Sequence, residues 1–194
     1  QELMSRMITV SQRPGEGNME FVETIGSYLE QLDFDVYSIP DPDYDDRALL
    51  VVDIGDPDGE QILTSISHSD VVGIDGQSWA RDPWKLTEEN GVWYGRGVCD
   101  THGSGVAMLI AAARPEITRE LKVANKRISI IFTSDEEAAS ADLSYRGVKL
   151  AVGELGVEPI VTSKYFITGE PTEVDSEMIA MRAHKGRWLA HFIL

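Results

Sequence analysis

The sequence predicts an α/β protein built around a largely parallel central sheet. Three observations carry that prediction. Apolar, β-branched runs bounded by Asp, Gly and Pro recur at 48–54 (ALLVVDI), 61–67 (QILTSIS) and 126–134 (KRISIIFTS), and they read as buried strands. Segments with apolar residues at helical spacing lie before, between and after them. Strands that alternate with helices favour parallel pairing, because a crossover is needed to bring the chain back in the same direction.

The elements follow in order. Residues 18–32 read as an amphipathic helix, with Phe21, Ile25, Tyr28, Leu29 and Leu32 at helical spacing. FDVYSI (34–39) alternates as a strand, and GDPDGE (55–60) is a turn by its chemistry. Residues 71–89 read as a loop containing Gly73, Gly76 and Pro83; NGVWYGRG (90–97) gives an Asn-Gly turn and a short strand. Small and apolar residues from Gly103 to Ala113 predict a buried helix that stops near Pro115. Beyond the strand at 126–134, a helix is expected over 141–155, a strand over 163–170 and a hairpin over 177–194 about Lys185-Gly186. The chain stops on the apolar run WLAHFIL, an unprotected place for a domain to end, so more protein is expected to follow.

Composition excludes several classes. A formal charge of −16 repels phosphate backbones, so nucleic acid is not an expected partner. No uncharged apolar run approaches the ~18 residues of a membrane span. The N-terminus lacks the charged-then-apolar pattern of a secretory signal. Cys99 is the single cysteine, which rules out an internal disulfide framework and fits a reducing, cytoplasmic setting. The acids concentrated in DPDYDD (41–46) read as a solvated loop.

Chemistry-bearing residues follow the strands. His68-Ser69-Asp70 follows ILTSIS, Asp100 follows YGRGVC, Asp135-Glu136-Glu137 follows ISIIFTS, and Gly169-Glu170 follows YFIT. Ligands of open α/β sheets collect at the carboxyl ends of the strands. Taken singly, each has a plain structural reading. His68 is then a capped core histidine, Asp70 a turn residue, Asp100 a helix N-cap, and residues 135–137 are acids in a first helical turn. Glu170 is then an exposed turn residue and Cys99 a small buried hydrophobe. Together those readings strain, because several carboxylates at one edge repel unless a cation neutralises them. One histidine and three carboxylates suit Zn²⁺ or a similar divalent ion, and a pair of ions sharing one carboxylate fits the count better. The His-x-Asp spacing lets Asp70 accept the second imidazole N–H, and a spare glutamate can serve as base.

The motifs SHSDVV (67–72), Trp79, DPW (82–84), NGVWYGRGVCDTHG (90–103), TSDEEA (133–138), GEPT (169–172) and RAHKG (182–186) together resemble the dinuclear zinc amidohydrolases. That family includes acetylornithine deacetylase, succinyl-diaminopimelate desuccinylase, aminoacylase and glutamate carboxypeptidase. The resemblance runs from about residue 62 to residue 185, and GEPT with RAHKG is most similar to the acetylornithine deacetylase branch, an enzyme of arginine biosynthesis. It implies a three-layer zinc-peptidase-like catalytic domain. Residues 1–176 are then its N-terminal portion, and 177–194 lead toward a lid or dimerisation domain absent here. It implies His68 and Glu170 on one zinc, Glu137 on the second, Asp100 bridging both, Asp70 orienting His68, and Glu136 as general base. The implied cofactor is two Zn²⁺ per complete active site, with Co²⁺ as the substitute. The implied reaction is hydrolysis of the amide of an N-acyl amino acid or dipeptide by a zinc-bridged water. A homodimer is allowed for a full-length parent. The alternatives are a truncated or degenerate homologue that binds metal without catalysis, and a dipeptidase or desuccinylase of the same family. Thr101-His102-Gly103-Ser104 departs from the family's usual Met-Lys-Gly-Gly, and Ser67 stands where glycine is usual. His184 and His191 do not match the family's downstream histidines.

Overall fold

A computed structural model describes residues 1–138 and 140–171 of the chain, and the backbone of 173–174 and 177–178. It begins with α1 (Glu2–Thr9), which the sequence reading leaves unassigned. Met4, Met7 and Ile8 give this helix a buried stripe, but eight residues offer barely two turns of pattern. The predicted helix at 18–32 is α2 (Met19–Glu30), which buries Phe21, Val22, Ile25 and Leu29. Leu32 lies past its end and is exposed.

Three strands follow, β1 (Asp35–Pro40), β2 (Ala48–Gly55) and β3 (Glu60–His68). A small hairpin, β4 (Thr87–Glu89) with β5 (Val92–Tyr94), turns through Asn90-Gly91, both at positive φ as a two-residue hairpin turn requires. β4 is too short to show an alternation, and it falls inside the predicted loop. The buried helix is α3 (Gly103–Ala112). Pro115, expected only to stop it, also opens α4 (Pro115–Val123), because a proline at the first helical position has no N–H to waste. β6 (Lys126–Thr133) comes next. The helix predicted over 141–155 shrinks to α5 (Arg146–Ala151), with Tyr145 left-handed before it and Gly153 left-handed just after. β7 (Tyr165–Thr168) is followed by two short paired strands, β8 (Glu173–Val174) and β9 (Glu177–Met178). The predicted turn at Lys185-Gly186, and His184 and His191, lie outside the described residues.

The main sheet has the order β1-β2-β6-β3-β7. β6, β3 and β7 run parallel, whereas β2 is antiparallel to both β1 and β6. Four strands therefore point one way and β2 alone points back. Strand alternation divides the apolar residues between two faces. Leu50, Val52, Ile130 and Phe132 face the cluster supplied by α1 to α4, including Met7, Phe21, Ile25, Val106 and Leu121. Leu49, Val51, Ile66 and Ile131 face Leu150 and Ala151 of α5. This is a three-layer α/β architecture. Among the described residues, no helix is long and apolar enough to cross a membrane.

The reversed strand matters for the site. The carboxyl ends of β3, β6 and β7 share one edge of the sheet, and β1 ends and β2 begins at that same edge. Leu50 is paired with Phe132, and the same antiparallel register carried three residues further sets Arg47 opposite Asp135. The acidic loop 41–46 lies there too. It is not wholly solvated: Asp41 is buried and takes a two-pronged hydrogen bond from Arg146, both contacts 2.6 Å.

Candidate metal centre

β3 lies between β6 and β7, so His68 at its end is central on the edge. The Ser69 N–H continues the ladder to the Thr133 carbonyl at 2.8 Å, and the Gly169 N–H donates to Ile66 O at 2.8 Å. The three loops that leave these strands are thereby fixed close together. Asp100 arrives from the side, in a short π-type turn (Val98–His102) that runs into α3; its own backbone (φ −120°, ψ 98°) is extended within that turn.

His68 is 1% exposed. Its Nε2 lies 3.0 Å from Asp100 Oδ1 and 4.0 Å from Glu170 Oε1. Two triads of ligand-type atoms form around it, His68–Asp100–Glu170 and His68–Glu136–Glu137, each with its atoms within 4.8 Å of one another. The first contains the three residues that the resemblance groups on one ion. The plain reading, in which these carboxylates are unrelated caps, requires them to be spread along the edge, and they are not. Asp100 is not a cap of α3, whose N-cap is His102 with no side-chain cap bond. Residues 135–137 do not start a helix either; they form a bend, and the next helix begins at Arg146.

Asp70 acts differently from the expected pattern. Its main-chain carbonyl, not its carboxylate, meets His68 Nδ1 at 2.7 Å, while Oδ1 is 3.8 Å away. The buried carboxylate instead accepts the backbone N–H groups of Glu136 (3.1 Å) and Glu137 (2.9 Å). A two-residue spacing puts carbonyl and carboxylate equally within reach of the ring, so sequence cannot choose between them.

Asp135 is 1% exposed and takes the Arg47 Nε–H at 2.9 Å. It is the acid of the trio that has a cation of its own. Nothing in the sequence around Arg47 flags that partnership; only the antiparallel β2–β6 register does. Sequence reasoning also misses Thr101, whose Oγ1 accepts the His68 N–H at 3.0 Å and sits 2.6 Å from Ser67 Oγ. Ser67 and Thr101 are both departures from the family pattern, and here they bond each other. Cys99, expected as a buried hydrophobe, is exposed. His102 belongs to neither triad. It is fully buried, and burial together with the His68 charge pushes it down to about 3, so it is neutral.

Without an ion, the charges compensate through His68. Burial opposes its imidazolium, but the Asp100 hydrogen bond and the charges of Asp70, Glu170 and Asp100 prevail and push it up to about 10. Burial also raises Glu136 to about 7, helped by Glu170, Glu137 and Asp70 against the opposing His68 charge. Burial raises Glu137 and Asp70 as well. A group whose pKa is higher folded than unfolded stabilises the fold below its unfolded value and loses that contribution as pH rises through the folded one. For His68 that window runs from its ordinary 6.5 to about 10. The metal-free chain is therefore expected to lose thermal stability through His68 across that window. A divalent ion that takes the neutral imidazole should flatten the slope, and melts with chelator and with Zn²⁺ check it.

Residues 65–184 match the model of peptidase family M20/M25/M40. Acetylornithine deacetylase of Buchnera aphidicola subsp. Acyrthosiphon pisum (strain Tuc7) is 32% identical over 173 residues, covering 88% of this chain and 40% of that protein. The chain thus spans about two fifths of the length of this curated relative. Human carnosine dipeptidase 1 superposes with a TM-score of 0.64 at 19% identity, covering 89% of this chain and 38% of that one. A dinuclear metal-binding M20 peptidase of Bacillus subtilis superposes with a TM-score of 0.51 at 17% identity, covering 86% of this chain and 42% of that one. The α/β fold and the length of the family match, 65–184, agree with one another, and this chain belongs to peptidase family M20/M25/M40.

Proposed function

We propose that this chain is the ion-binding N-terminal portion of a metal-dependent amidohydrolase acting on N-acyl amino acids, of the acetylornithine deacetylase kind. The observation that carries the reading is the convergence of His68, Asp100, Glu136, Glu137 and Glu170 into two triads within ligand reach. The donor set fits a divalent ion: one buried imidazole already fixed through its other nitrogen, and carboxylates that raise one another's pKa values around it. His68, Asp100 and Glu170 would hold one ion, and Glu137 with Asp100 a second; zinc is the favoured metal and cobalt its substitute. Such ions supply Lewis-acid polarisation of the amide carbonyl and water of lowered pKa. The side chains do the rest. Glu136, pushed up to about 7, is suited to take a proton near neutrality and return it to the leaving amine. Asp70 keeps Glu136 and Glu137 in place through their backbone N–H groups.

The name of the 32% identical relative supports N-acetylornithine as the first substrate to test; a cytoplasmic place in arginine biosynthesis is part of the same proposal. The dipeptidase likeness keeps dipeptides as competitors. Residues 1–176 are read as the catalytic portion and 177–194 as the lead into a lid that would also serve dimerisation. An isolated chain of this length is expected to be weakly active or inactive, so the test is metal content of a full-length parent alongside its turnover of N-acetylornithine, N-succinyl-diaminopimelate and a dipeptide. Two ions with preferred deacetylation are expected. Stoichiometric ion uptake with no turnover of any of the three supports a metal-binding homologue without catalysis.

A further inference from the structure

We propose that residues 11–18, between α1 and α2, form a clasp that holds three of the four ligand-bearing segments in register, those of His68, Asp100 and Glu136–Glu137, with Ser11 and Gln12 as its positioning residues. The inference rests on the metal reading above. Neither residue belongs to a triad; each reaches the back of a loop that carries one. Ser11 Oγ donates to Met7 O at 2.7 Å, so a lone pair faces His102 Nε2 at 2.7 Å and the ring donates from that nitrogen. His102 ends the turn that presents Asp100. The Gln12 side-chain Nε2 donates to Ser69 Oγ at 2.7 Å, and the Gln12 main-chain carbonyl accepts the Val71 N–H at 3.0 Å, so side chain and backbone together grip both flanks of Asp70 immediately after His68. The Gly15 N–H donates to Asp135 Oδ1 at 3.2 Å, one residue before Glu136.

The segment is fixed at both ends. The buried methionines of α1 hold the near end. Asn18 holds the far end by exchanging hydrogen bonds with the first residue of β2: Nδ2 to Ala48 O at 2.8 Å and Ala48 N–H to Oδ1 at 2.9 Å. Between them the chain runs so close to the 41–46 loop that a Cβ at Gly17 would sit 2.5 Å from the Asp46 carbonyl. A fixed segment that bonds three loops from behind restrains the distances among the side chains those loops present. Partners behind metal ligands typically govern 10- to 100-fold of metal affinity.

The probe is Co²⁺ alone, titrated into the chain against a competing chelator and read by its visible absorption, with melts of the metal-free forms alongside. Ser11→Ala and Gln12→Ala are expected to lose about tenfold in Co²⁺ affinity and to alter the absorption band, while Ser11→Thr, which keeps the hydroxyl, retains both. If Gln12→Ala does not fold, Gln12→Met keeps the bulk without the hydrogen bond and is read the same way. Unchanged affinity and band in the alanine variants, whatever their melting temperatures, overturn the clasp and leave the metal reading standing. An unaltered chain that takes up no Co²⁺ overturns the metal reading and the clasp with it.

Discussion

Glu136→Gln is expected to lower turnover by roughly 10²- to 10⁴-fold while metal content is kept, whereas Glu137→Ala is expected to lose an ion. The two glutamates are neighbours in sequence and share a triad with His68, so position alone does not separate them. Their surroundings differ. Glu136 is the one raised to about 7, by burial first and then by Glu170, Glu137 and Asp70. That value suits a group that must both accept and release a proton near neutrality. For Glu137 the strongest charge acting on it is Asp100, the carboxylate proposed to be shared between ions. The measurement is kcat and KM on N-acetylornithine for a form that turns it over, with metal content of each variant. Equal metal loss from both would refute the division of roles.

Arg47→Met is expected to destabilise the fold by about 3–5 kcal/mol, the range for removing one partner of a buried ion pair. Arg47 and Asp135 side chains are 4% and 1% exposed, and the guanidinium reaches both the carboxylate and the Gly15 carbonyl. Without it buried Asp135 keeps the Gly15 N–H but faces the buried Asp70 carboxylate with no guanidinium to offset their repulsion. Replacing both members, Arg47→Met with Asp135→Leu, is expected to recover a large share of the loss, since an apolar pair of similar bulk removes the orphaned charge. Urea unfolding of the single and double variants checks this. A single-variant loss below about 1 kcal/mol would show the pair to be solvated and unimportant.

What the sequence disclosed, and what it withheld, follows physical lines. The long apolar strands β2, β3 and β6 and the helices α2 and α3 were legible because burial repeats a pattern over enough residues to see it. α1, β4 and α4 were not, being short or hidden behind a proline that opens a helix as readily as it ends one. His68 and Glu170 were legible together because the parallel strands β3 and β7 deliver their carboxyl ends to one place, whereas Asp100, which comes in from the side beyond a separate hairpin, was grouped with them by its motif. The Arg47–Asp135 pair was not, because it depends on the one strand that runs backwards. Nor was the choice between the carbonyl and the carboxylate of Asp70, since both lie the same two residues from the imidazole.

The loop 41–46 has a consequence for how fast ligands arrive. Because β1 ends and β2 begins at the ligand edge, this loop sets exposed carboxylates at that edge: Asp43 and Asp46 side chains stay 64% and 59% exposed although they pair with Arg146 and Arg47, and Asp45 is exposed as well. On a molecule of formal charge −16, an edge of that sign is expected to act as an electrostatic funnel. Such an edge is expected to speed the encounter with divalent cations and to slow the approach of polyanions. The association rate constant for a cation should therefore fall steeply as ionic strength rises, long before the equilibrium geometry of the bound state is disturbed.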